Sequence, residues 1–188
     1  GVLVAPITSP VSWNHTVGSG ANRILLVTTS QRAGAIPTGV TYGGTPMTML
    51  RSDSNTVIFT TIWYLVNPAS GTNQIRMSYS SVPLHLQANA ISLSGVHQTS
   101  PINAQAGANA VSPGPATVNL NATTSNTWIV DVVALRTAAS ESITMTPMTN
   151  RVERENSQTV LNGLHSAFSS IGPAGSSGSY AMSWTTPY

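Results

Sequence analysis

Val57-Ile58-Phe59-Thr60-Thr61-Ile62-Trp63-Tyr64-Leu65-Val66 decides the fold class. All ten residues are β-branched, aromatic or Leu, the types that fit a pleated surface. A period of two places Ile58, Thr60, Ile62, Tyr64 and Val66 on one face. Phe59, Thr61, Trp63 and Leu65 fall on the other, and Asn67-Pro68 ends the run.

Runs of the same kind recur on both sides. Upstream lie Val2–Ile7, Val11–Val17, Arg23–Ser30, Thr38–Tyr42 and Pro46–Arg51, the last two flanking the hairpin signal Gly43-Gly44. Downstream lie Asn73–Ser80, Leu84–Val96, Thr117–Ala122, Trp128–Leu135, Ile143–Met148, Val152–Gln158, Leu164–Ile171 and Ser179–Thr185. Within Leu84–Val96 the alternation slips at Ile91 and Leu93, which predicts a bulge. No window holds apolar residues at i, i+3, i+4 and i+7 over three turns, so no helix is expected. Residues 98–115, rich in Pro, Gly, Ala and Asn, read as a long crossover loop. About a dozen strands at this spacing predict an all-β, antiparallel, jelly-roll-like β-sandwich. A single domain over residues 1–188 is expected, with 1–10 a candidate N-terminal donor strand.

Charge narrows the function classes. Asp, Glu, Lys and Arg make up 6% of the chain, against about 25% in ordinary soluble domains. There is no Lys, and all seven basic residues are Arg. The surface must be solvated by hydroxyls and amides, and such a weakly repulsive skin permits close packing against copies of itself or against sugars. The pI near 9.4 reflects seven charges against five, not a basic stripe. Only Arg151 and Arg154 are close in sequence, and Glu153 and Glu155 offset them, so nucleic acid is not an expected partner. Cys is absent, which removes disulfides and thiolate metal sites. No stretch approaches the roughly 18 apolar residues of a membrane span. No signal peptide is visible, and an opening at Gly1 without Met is read as mild support for export.

Three stretches carry a family resemblance. They are Trp13-Asn-His-Thr-Val-Gly-Ser-Gly-Ala-Asn-Arg-Ile-Leu-Leu-Val27, Val40-Thr-Tyr-Gly-Gly-Thr-Pro-Met-Thr48 and Trp63-Tyr-Leu-Val-Asn-Pro-Ala-Ser-Gly-Thr72. They resemble a β-sandwich module of secreted bacterial proteins and phage structural proteins. The resemblance implies an extracellular, cell-surface or virion setting and supplies no catalytic residue. Trp13 and Trp63 read as core anchors.

Candidate chemistry is sparse. Glu153 and Glu155, two apart, would share a strand face as a carboxylate pair, but a solvated strand end fits them better. Asp131 sits mid-strand and is expected to point outward; pointing inward it would need a partner such as Arg23 or Arg136. His15, His85, His97 and His165 lack ligand spacing, and Asp53-Ser54-Asn55 reads as a plain turn rather than a Ca²⁺ loop. No Gly-x-Ser-x-Gly elbow is present. No catalytic residue, metal or cofactor is therefore assigned, and the chain is not expected to be an enzyme. Trp128, Tyr180 and Trp184 are candidate glycan-contact aromatics, which would make a carbohydrate-binding or adhesion module the alternative function.

Assembly has the stronger physical warrant. Val2-Leu3-Val4-Ala5-Pro6-Ile7 is apolar at every position, and Thr8-Ser9-Pro10 would free it from the body. Such a segment can complete a neighbour's sheet. The expected function is a non-enzymatic extracellular subunit that self-associates into a filament, pilus or virion surface.

Overall fold

The computed structural model describes residues 2–4, 7–109, 116–136, 146–147, 152–159, 164–174 and 176–185, with side chains over 7–109, 116–136 and 176–184. The described chain contains strands and no helix. In order they are β1 (Val2–Val4), β2 (Val11–Val17), β3 (Ile24–Arg32), β4 (Gly39–Tyr42), β5 (Thr45–Pro46), β6 (Thr48–Asn55), β7 (Ile58–Val66) and β8 (Gly71–Ser78). Then follow β9 (His85–Leu93), β10 (Ala116–Ala122), β11 (Thr127–Arg136), β12 (Thr146–Pro147), β13 (Val152–Thr159), β14 (Leu164–Ala174) and β15 (Gly178–Thr185).

All pairings are antiparallel, and the strands form four sheets. Sheet A has the order β1-β9-β3-β7-β6 and sheet B the order β2-β8-β4-β5. Sheet C has the order β10-β15-β12 and sheet D the order β11-β14-β13. A and B enclose the main core, in which Leu25, Val27, Val40, Tyr42, Trp63, Ile75, Met77 and Leu86 are buried. Trp13 packs against that core from its rim. C and D enclose separate, smaller clusters around Trp184 and around Ile129 with Met182. D lies over the other face of A, with β11 beside β7 and β3. The layers thus stack B–A–D–C. The expected jelly-roll-like sandwich is met as an all-β antiparallel architecture, but with four sheets and divided cores rather than two sheets around one.

Stacking explains the most hydrophobic strand. Every residue from Ile24 to Gln31 of β3 is buried, because B covers one face and D the other. A strand covered on both sides has no solvent face and reads as a continuous run. The same fact corrects the expected bulge at Ile91. β9 pairs with β3 in unbroken register from Arg32↔His85 to Ile24↔Leu93. Leu86, Ala88 and Ala90 face B, so Ile91 and Leu93 fall on the D side, and both faces tolerate apolar residues. Register shifts fall instead between Met49 and Arg51, Thr127 and Ile129, and Glu153 and Glu155. The hairpin at Gly43-Gly44 forms as expected, with φ of 55° and 83° and the pair Tyr42↔Thr45 closing it.

Two partly buried histidines, His15 of sheet B and His85 of sheet A, make the fold sensitive to acid. His15 Nε2 and His85 Nδ1 are buried without a hydrogen-bond partner. Burial, and then the charge of the N-terminus, lower the pKa of His15; burial, and then Arg32, lower that of His85. The folded state thus favours neutral imidazole. Stability from this source is complete above the unfolded value of about 6.5. It is lost as pH falls from there through the lower folded value, because the unfolded chain takes up protons first. Unfolding midpoints should therefore drop on going from neutral to mildly acidic buffer. The drop should shrink in His15→Gln; an equal drop in that variant would assign it to other groups.

Candidate functional site

The apolar N-terminus does not hang free in the single chain. β1 pairs with β9 at the margin of sheet A, Val2↔Ala88, Leu3↔Gln87 and Val4↔Leu86. Ala5 and Pro6 lie outside the described residues, as do the side chains of Val2, Leu3 and Val4. Ile7 packs against the main core. Ser9 clips the following turn to the body: Tyr79 N donates to Ser9 Oγ at 3.0 Å, and Ser9 Oγ donates to Tyr79 O at 3.3 Å. The stretch Thr8-Ser9-Pro10, expected to free the terminus from the body, is thus anchored to it. Among the described residues β1 pairs with three of the nine residues of β9. Among the described residues no strand pairs with Asn89–Leu93 on that edge.

The three candidate aromatics do not form one platform. Trp184 is 1% exposed at the centre of a core cluster, so it is unavailable for stacking on a sugar. Tyr180 packs against Ile129 and Met182, its hydroxyl donating to Ser176 O at 2.5 Å. Trp128 alone is open, at 38% exposure, in the bulge of β11.

Asp131 departs from the outward orientation expected. Its Oδ2 accepts a 2.8 Å hydrogen bond from Trp184 Nε1 across the C–D cluster, so the inward partner is an indole rather than Arg23 or Arg136. Arg23 instead donates to the carbonyls of Gly20 and Pro68 and to Asn67 Oδ1. Asp53-Ser54-Asn55 is strand rather than turn, because it pairs with β7 through Asp53↔Thr60, Ser54↔Phe59 and Asn55↔Ile58, and Arg51 Nε and Nη2 donate to the two oxygens of Asp53 at 2.5 and 2.6 Å along β6. A bulge between Glu153 and Glu155 breaks the alternation that would place both on one face; their side chains lie outside the description. Among the described residues no three His, Asp or Glu side chains converge as metal ligands. No helix there is long and apolar enough to cross a membrane.

Sequence reading missed a cavity of about 770 Å³ lined by β6, β7, β10, β11, β15 and residues 104–109. Eight consecutive residues of β11, Ile129 to Arg136, line it. Ile129, Val133 and Leu135 face the C–D clusters. By alternation Val130, Val132, Ala134 and Arg136 face sheet A, where Ile58, Thr60, Ile62, Arg51 and Asp53 form the opposite wall. A space that touches both faces of one strand must pass round its edge. Among the described residues β11 pairs with β14 alone. Gly107 lies directly on the Arg51–Asp53 pair, where a Cβ would collide with both side chains. Asn109 Nδ2 donates to Ser54 O at 3.1 Å and ties the same loop to β6.

No family model, curated protein or solved structure matches the chain.

Proposed function

We propose that this chain is a non-enzymatic structural subunit that self-associates through its N-terminal strand in an extracellular or virion-surface assembly. The observation that carries this reading is the place of β1 at the margin of sheet A, where, among the described residues, Val2–Val4 pair with β9. A strand at a sheet margin exchanges for its copy from another subunit with no net loss of backbone hydrogen bonds. The nearly uncharged exterior supports the same reading, since little electrostatic repulsion opposes contact between copies. Ile7 and Ser9 fix where the exchanging segment leaves the body.

Deleting residues 1–6 tests it. The truncated chain should keep its far-UV circular dichroism and remain monomeric in sedimentation. The full chain should form oligomers or filaments visible by negative stain. Assemblies persisting in the truncation, or a full chain monomeric at high concentration, would overturn the reading.

A further inference from the structure

We infer that β2 is the second contact of the assembly, pairing antiparallel with β2 of another copy across a two-fold axis at Asn14. This rests on the self-association reading above and adds the symmetry and the surface by which exchanging copies meet.

Sheet B is described throughout, side chains included, and its margins are β2 and β5. The backbone shows which groups of β2 point away from the sheet. Gly43 N donates to Gln74 O at 2.9 Å, on the β4 side of β8. In an antiparallel ladder the N–H and C=O of one residue share a side. Gln74 therefore turns both toward β4 and stands opposite Asn14 without a hydrogen bond between them. Asn14 turns its own N–H and C=O outward, and by alternation so do Ser12 and Thr16. The side chains of all three are exposed.

The other margins of the A–B sandwich carry guards against strand addition. β5 has two residues and ends in Pro46. β6 has the register shift between Met49 and Arg51, the Arg51–Asp53 ion pair and the Asn109 hydrogen bond to Ser54 O. β9 receives β1. β2 runs for seven residues with no charge, no Pro and no register shift against β8. Such an edge is a template for another strand.

The sequence of β2 is its own complement. With Asn14 on the axis, Asn14 lies opposite itself and Ser12 opposite Thr16, so each outward N–H meets a carbonyl. The side chains paired on the outer face are hydroxyls and amides, and no like charges meet. On the inner face Trp13 lies opposite His15. Both are partly exposed in the single chain, so each covers the other. Position agrees. Only Met47 separates β5 from β6, which puts those two margins on one side of the sandwich; β1 and β2, joined by residues 5–10, hold the other. Copies that exchange β1 thus meet on the β2 side. A short ladder of hydrogen bonds does not outweigh the freedom lost on association. β2 pairs once exchange has raised the effective concentration.

The chain has no cysteine, so disulfide trapping in the full chain tests the pairing. Asn14→Cys should oxidise to a dimer, because opposed residues there sit about 5.5 Å apart, inside the roughly 4.4–6.8 Å that a disulfide spans. Gln74→Cys is the control: it is also exposed on that face, but three strand spacings, about 14 Å, separate it from its copy. Proteins carrying Ser12→Cys and Thr16→Cys, mixed, should cross-link to each other rather than to themselves. Circular dichroism checks that each variant is folded, and sedimentation follows association. The expected result is an Asn14→Cys dimer several-fold above that of Gln74→Cys, with Ser12–Thr16 cross-links in the mixture. Association without such an excess at either β2 pair would overturn the β2 contact and leave strand exchange standing. Folded protein that neither associates nor cross-links would remove both.

Discussion

Replacing Trp184 with alanine should cost roughly 3–5 kcal/mol, the range for truncating a fully buried large aromatic. That is a sizeable part of the 5–15 kcal/mol that typically separates folded from unfolded domains. Trp184 is the buried centre on which Ala116, Val133 and Leu135 pack, so the loss falls on the contact between sheets C and D. It also removes the indole N–H that Asp131 accepts. The A–B core shares no residue with this cluster. Calorimetry of the variant should therefore show two transitions, the lower one belonging to C and D. Amide protons of β2, β4 and β8 should keep their protection up to the higher. A single transition that shifts as a unit would mean the four layers melt together.

Gly34→Ala should be the most damaging change at any single glycine of the A–B half. Gly34 has φ of +73°, a conformation that costs an L-residue about 1–2 kcal/mol. An added Cβ would also meet the Pro83 backbone and the Val82 carbonyl oxygen at 2.7 Å. Those are main-chain atoms with no rotamer to yield, so overpacking adds about 1–3 kcal/mol. Gly44→Ala is the matched control: its φ of +83° carries the same strain, but nothing lies within 4 Å of the new atom. Urea unfolding should place Gly34→Ala well below Gly44→Ala, and equal midpoints would show that the loop at Pro83 gives way.

The strands were legible because their chemistry is local. Val11–Val17 and the Gly43-Gly44 hairpin follow from alternation and from the need for positive φ. What the sequence hid is which sheet covers which. The run in β3 and the broken alternation in β9 both come from burial on two faces, a property of layers that a single strand does not display. Asp131 was misread for a related reason. Its neighbours Val130 and Val132 look like the buried half of an alternation, yet both faces of β11 meet protein, and the polar residue points to the side where Trp184 supplies a donor. The cavity was invisible for the plainest reason: its walls come from five strands and a loop spread between Leu50 and Trp184.

β15 sits at the centre of sheet C, paired on one side with β10 and on the other with β12, and it brings both Met182 and Trp184. During synthesis the A–B half has all its strands once Leu93 has emerged. Sheet C cannot close until Gly178–Thr185 has left the ribosome, leaving β10 to wait for its partner β15 across more than fifty residues of further synthesis. The interval in which the nascent chain is exposed to misassembly is thus set by its final strand.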